Sequence, residues 1–335
     1  MRFKEKLVLY ICYAVSLGYV ANKFVTAIGL WFHGVAQWEK LWRPFPDWGQ
    51  GADLYGALLA AKWNGTRTVW YGFLLLGVTF FVMLYKKYKY LSFVLFQGAL
   101  VELLNLFWVA NAKSNGWSTP SSNEFMVESA LWAGALFLSG VYVYTQPAEE
   151  GAEVTPAAPV VTTGIHKFLI RWCMFVALAF SAMKLYFAYY WWLSPYKIWA
   201  VGFRMFPDWG TGAALYGALL PAKWIFSSNF CYGVIIALAV YYGHKFNKFQ
   251  FLGFLLLEGV LIEFFDGFWL ANGKFNAGWD KFGDGLPIPG QMSMIGGFSW
   301  GPILLTCAIY LLAKEYLDAR NSLNNKERAA RSSRS

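Results

Sequence analysis

The chain has 335 residues, of which 58% are hydrophobic, 20% aromatic and only 14% charged, against roughly 25% charged in a soluble domain. With a mean hydropathy of +0.39, this composition excludes an ordinary soluble globular protein and points to the membrane. The net charge of +9 gathers in short segments between apolar runs, which is a topology signal rather than a nucleic-acid surface, so no nucleic-acid partner is expected.

Met1 to Lys6 is basic, and the apolar run after it has no small-residue cleavage site and is too long for a removed signal peptide. It is expected to be the first of about eight membrane helices. Crossing a bilayer takes about 20 residues, and the runs that qualify are 7–31, 68–85, 90–111, 126–145, 167–193, 229–244, 250–271 and 293–313. Between the first two lies Phe45-Pro46-Asp47-Trp48-Gly49-Gln50-Gly51, a turn in which Pro presets φ and Gly accepts φ > 0. The apolar segment that follows, ending at Ala61-Lys62-Trp63, is too short to span. It is expected to lie in the outer interface or to dip in as a re-entrant helix.

Residues 146–165, with Pro147, Glu149, Glu150, Glu153, Pro156 and Pro159, read as an irregular linker. Beyond it the chain repeats itself. Phe206-Pro207-Asp208-Trp209-Gly210 through Trp224 restates Phe45 through Trp63 at a constant offset of 161 residues without a gap. A match of this length marks a duplicated unit. The expected architecture is therefore an all-α integral membrane protein of two tandem four-helix repeats, each with a short interfacial or re-entrant helix on the outer side. The units are residues 1–145 and 166–313, joined by a cytoplasmic linker at 146–165 and followed by a basic cytoplasmic tail at 314–335. Basic short connections alternate with longer aromatic ones, so the positive-inside rule places the protein in the inner membrane with both termini cytoplasmic. The tail suits a position beside anionic lipid.

Polar residues inside the spans are the candidates for function. Glu102 and Asn105, and equally Glu263 and Asp266, are three apart and share a helix face. Lys23 and Lys184 occupy matching places on the first helix of each unit. At 1.5 Å per residue, Lys23 lies roughly 24 Å from the inner end of its helix and Glu102 roughly 18 Å from its own. A lone charge at such depth costs at least about 2.5–3.5 kcal/mol, so Lys23 is expected to pair with Glu102 and Lys184 with Glu263. Glu258, Glu263 and Asp266 then set three acids against Lys184, whereas the first unit has Gln97 in place of Glu258. That imbalance points to a functional polar site in the second unit, composed of Lys184, Glu258, Glu263 and Asp266. The competing reading is a pair of buried ion pairs that only fix helix packing.

A second set is basic and lies in the outer connections: Arg43, Lys62 and Lys113, with Arg204, Lys223 and Lys274 at the same offset. Beside the Gly-x-Gly approach to a helix N-terminus they are candidates for binding an anion such as a lipid phosphate. Snorkelling lysine and arginine side chains would look the same in sequence. Cys12, Cys173, Cys231 and Cys307 all fall in apolar runs, so no disulfide framework is expected. His33, His166 and His244 lie near segment ends, which argues against a two-histidine haem or a metal site. No nucleotide-binding, hydrolase or metalloprotease motif is present, and no cofactor is expected. Arg171 followed thirteen residues later by Lys184 resembles the DoxX-like membrane proteins; Tyr10 stands at the arginine position of the first unit, and no activity follows from the resemblance.

The function these features suggest is a multipass carrier or binding protein for a small or amphipathic anionic ligand. The alternatives are a non-catalytic structural subunit of a larger membrane complex and a membrane-embedded enzyme or redox subunit acting on lipid or quinone. The expected partners are membrane lipid and, for the structural alternative, other membrane subunits.

Overall fold

Backbone in hydrocarbon must pair internally, which turns long apolar runs into helices. The structure, a computed structural model, describes residues 3–33, 36, 52–117, 119, 121–147, 164–193, 213–276 and 295–314. Among these residues every regular element is helical: α1 (Phe3–Phe32), α2 (Ala52–Tyr85), α3 (Tyr88–Ser114), α4 (Ser122–Thr145), α5 (Gly164–Leu193), α6 (Ala213–Phe246), α7 (Gln250–Asn276) and α8 (Ile295–Lys314).

The chain is thus an all-helical multipass membrane protein. Seven helices are long and apolar enough to cross a bilayer, all but α7. α7 matches α3 in length at 27 residues, but Glu258, Glu263 and Asp266 within nine positions set it apart from the other seven. Its carboxyls are instead accommodated by neighbouring helices, as described below.

The short outer helix expected after each Pro-Asp-Trp-Gly turn is not a separate element. Residues 52–85 form one continuous helix of 34 residues, and 213–246 form another of 34 with Pro221 inside it. At 1.5 Å per residue each is about 51 Å long, well beyond a hydrocarbon core of about 30 Å. The polar run Asn64-Gly65-Thr66-Arg67 reads as a break in the sequence, yet its side chains are buried and satisfied by partners on α2, α6 and α7. Nothing then favours opening the helix there. The two Pro-Asp-Trp-Gly turns, most of the 146–165 linker and the tail lie outside the described residues.

α1 lies along α2, α3 along α4 and α5 along α6, while α3 meets α6 and α2 meets α7 across the centre. One apolar core joins all eight helices, centred on residues such as Tyr19, Leu75, Leu91, Phe180, Phe251 and Leu304. A second core at one end is rich in tryptophan: Trp63, Trp108, Trp117, Trp191 and Trp224. At the opposite end, Lys87 Nζ donates to Gln250 Oε1 at 2.9 Å, Tyr142 Oη donates to the Glu5 carbonyl at 2.9 Å, and His166 Nδ1 meets Tyr310 Oη at 3.0 Å. The tight turns there use left-handed residues at equivalent positions, Lys86 (φ 56°) and Asn247 (φ 52°).

Candidate functional site

The two lysine–glutamate pairs form. Lys23 bonds Glu102 and Lys184 bonds Glu263, and all four side chains are shielded from solvent. Their surroundings differ. Glu102 also accepts from Tyr19 Oη at 2.5 Å, and the Ser129 hydroxyl reaches the same carboxylate. Phe180 replaces Tyr19 in the other half, so that position offers no hydroxyl to the carboxylate, and Lys184 Nζ lies 5.1 Å from the ring centroid. Gly297 lies close to the Glu263 carbonyl: a Cβ there would meet the oxygen at 2.7 Å, so only glycine allows α8 this approach.

Asp266 does not join Lys184 and Glu263 through an ion pair. Arg67 of α2 crosses to α7 and grips it with two bonds, Nη1 to Oδ1 at 3.1 Å and Nη2 to Oδ2 at 2.8 Å. Arg67 also donates to Asn229 Oδ1 at 3.2 Å and to the Trp63 carbonyl at 3.0 Å. This bidentate bond, planar fork to planar fork, fixes α2 against α7. Nearby, Trp269 Nε1 donates to Thr66 Oγ1 at 3.2 Å, and Trp31 stacks on Phe265 with centroids 5.9 Å apart.

A cavity of about 340 Å³ opens between α1–α4 and the facing sides of α6 and α7. Lys23, Glu102, Gln97 and Asn105 line it from the first half, joined by Arg67 and by Ser228, Asn229 and Glu258 from across the centre. Three buried oxygens of side chains that line it have no hydrogen-bond partner among the described residues: Gln97 Oε1, Asn105 Oδ1 and Glu258 Oε2. Gln97 is 7% exposed and Glu258 5%. Each buried acceptor left bare costs about 1–3 kcal/mol.

The sequence placed the functional constellation in the second unit, around Lys184, Glu258, Glu263 and Asp266. The structure gives those residues different direct partners. Glu263 and Lys184 pair with each other, Asp266 belongs to Arg67, and Glu258 faces the cavity lined largely by first-half side chains. The reason lies in the positions where the two halves differ. Tyr19, Asn22 and Thr26 stand where the second half has Phe180, Met183 and Phe187. Polar side chains therefore keep the first-half interior open, while aromatic rings and methionine occupy the equivalent places in the other.

The outer basic residues do not converge on one site. Lys62 Nζ donates to the Trp31 carbonyl at 3.1 Å and lies 4.5 Å from the Trp269 ring centroid. Lys223 Nζ donates to the Trp192 carbonyl at 2.5 Å and lies 4.7 Å from the Trp108 ring centroid. Each ammonium thus caps the carbonyl end of a helix, α1 or α5, which complements the helix dipole. Lys113 bonds Asn123. Arg43, Arg204 and the side chain of Lys274 lie outside the described residues. No group of histidine, cysteine and carboxylate residues suited to a metal ion occurs among the described residues.

Asn22, Asn64, Arg67, Glu128 and Ser129 were not singled out from sequence, although all line the cavity. The signal was present: each is a polar residue in a helix whose other-half counterpart is apolar or smaller. No family model matches the chain, and no curated protein or solved structure matches it significantly.

Proposed function

We propose that this protein is a membrane binding or carrier protein that holds a small polar ligand, or the polar head of a larger one, in the central cavity. The observation that carries the reading is the set of buried, unpartnered oxygens on Gln97, Asn105 and Glu258, side chains that line a cavity of about 340 Å³ inside the helix bundle. A purely structural subunit gains nothing from leaving such acceptors bare. The fold would be two copies of one four-helix unit in the inner membrane, with both termini cytoplasmic. Contacts that recur at the 161-residue offset support the two copies: Tyr71 Oη to the Val94 carbonyl and Tyr232 Oη to the Leu255 carbonyl, and the paired lysine caps on Trp31 and Trp192.

The ligand that suits this cavity donates hydrogen bonds or carries positive charge. Among the ionisable side chains on the wall, Lys23 and Arg67 are already engaged by Glu102 and Asp266, and neither Glu128 nor Glu258 is in a salt bridge with a described residue. That is the opposite sign to the anion suggested by the outer basic residues. Membrane lipid as a partner fits either sign.

The test is native mass spectrometry of the protein extracted from its own membranes in mild detergent. The expected result is a non-covalent adduct at one per chain. It should be lost in a variant carrying Asn105→Leu with Ser228→Leu, which fills the cavity while sparing both ion pairs. Wild-type protein free of any adduct, under conditions that preserve its fold, contradicts the reading.

A further inference from the structure

The cavity is not sealed toward the bilayer. Its wall includes Val25, Thr26 and Glu128, all of which are exposed on the outer surface of the helix bundle. Val25 is 72% exposed, and the surrounding surface is apolar: Ile28, Val127 and Leu131 are exposed beside it. On a helix bundle that spans a membrane, such a surface faces lipid tails. The mouth therefore lies between α1 and α4, and a polar contact bridges it, Asn22 Nδ2 to Glu128 Oε1 at 2.8 Å.

The depth of the mouth follows from helix geometry. Asn22 is nine residues below Trp31, whose carbonyl binds the Lys62 ammonium, a separation of about 13 Å along the helix. Half of a hydrocarbon core is about 15 Å. The mouth thus opens into the tail region, away from the interfacial level marked by that lysine and the tryptophans. A carboxylate at such a place is costly unless it has a task.

The chemistry changes from mouth to interior. Val25, Leu30, Phe125 and Trp132 offer an apolar passage. Beyond it stand the bare acceptors of Gln97, Asn105 and Glu258. An apolar passage leading to unpartnered acceptors, one of them a carboxyl, suits a molecule with a tail in the bilayer and a hydrogen-bond-donating head. Resting on the binding reading above, we infer that the ligand is an amphipath with a primary ammonium head, admitted sideways from the membrane between α1 and α4. Its head reaches Glu258, Gln97 and Asn105, and its tail stays in the lipid beside Val25 and Val127. Asn22 and Glu128 form the latch, and Glu128 offers a first carboxylate to the incoming ammonium.

The probe is octadecylamine with a photoreactive diazirine in its tail, mixed into phosphatidylcholine nanodiscs that hold the full chain. Illumination followed by peptide mapping should place label on α1 near Val25 and Ile28 and on α4 near Val127 and Leu131. Unlabelled octadecylamine should compete at least about tenfold better than octadecanol, as expected when a charge-assisted hydrogen bond is at stake. Glu258→Gln, which keeps size and shape, should weaken labelling by a similar factor. Thr26→Trp, a substitution at an exposed position that leaves the fold intact, should block the mouth and abolish it. Two results overturn the inference in distinguishable ways. Labelling that depends on Glu258 but survives Thr26→Trp rejects the sideways route and leaves the cavity as a binding site. Label spread over the lipid-facing surface, insensitive to competitor and to Glu258→Gln, rejects the ammonium ligand, while the adduct measured by native mass spectrometry still decides the binding reading.

Discussion

At the scale of single residues, three charge pairs organise the interior among the described residues, and their origins differ. Breaking a buried pair leaves an uncompensated charge and costs about 3–5 kcal/mol, whereas removing both partners costs much less. Asp266→Asn alone should therefore lower stability by about 3–5 kcal/mol. Adding Arg67→Ser should restore most of the loss, because it recreates the Asn105 and Ser228 combination found on the other side of the cavity. Thermal unfolding in detergent of the two single variants and the double variant checks this; strictly additive losses would show that the residues act independently. The same design applies to Lys184→Ala and Lys184→Ala with Glu263→Ala, where the double variant should be the more stable. The lysine–glutamate pairs were legible in sequence because each half repeats both charges at one depth. Arg67 was not, since it appeared to lie in a connection rather than a helix, and its partner sits in the other half of the chain. Glu128 lies inside an apolar run and has no acidic counterpart in the other half, so the repeat does not mark it. Agreement between the halves marks the packing pairs; disagreement marks the cavity.

At the scale of helices, the main revision is the continuity of α2 and α6. Length separated a short outer helix ending at Trp63 from a span beginning near residue 68, with the polar run at 64–67 between them. Tertiary partners satisfy those polar groups and the helix continues, which no local pattern reports. Glycines along α2 test that continuity. A Cβ on Gly65 would come within 2.6 Å of Trp31 Cδ1 and 3.3 Å of Leu30 Cβ, whereas a Cβ on Gly77 meets nothing within 4 Å. Gly65→Ala should therefore destabilise by about 1–3 kcal/mol through overpacking against α1. Gly77→Ala should be neutral or stabilising by up to about 1 kcal/mol, the helix-propensity difference between the two residues. Unfolding midpoints of the two variants measure the contrast. Equal effects would mean that residue 65 does not pack on α1 as part of a helix.

At the scale of the whole molecule, the short basic connections and the tryptophan-rich core lie at opposite ends, and the topology proposed above puts those basic connections in the cytoplasm. The four native cysteines are buried, so an introduced thiol can be read against a low background. Asn115→Cys should react with an impermeant thiol reagent in intact cells, and His244→Cys should react only after the membrane is permeabilised. The reverse pattern would invert the topology. The composition made the membrane assignment legible, and the matching charges at equivalent positions made the two lysine–glutamate pairs legible. The cavity was not, because it arises where helices distant in sequence fail to fill space, and no single segment encodes that.

The most direct measurement is a density map of the wild-type chain in lipid nanodiscs, inspected between α3, α6 and α7. Ordered non-protein density within about 2.7–3.2 Å of the Gln97, Asn105 and Glu258 oxygens is the expected result, extending toward the gap between α1 and α4. A cavity closed by protein side chains, with those three oxygens bonded to protein donors, would contradict a binding site there.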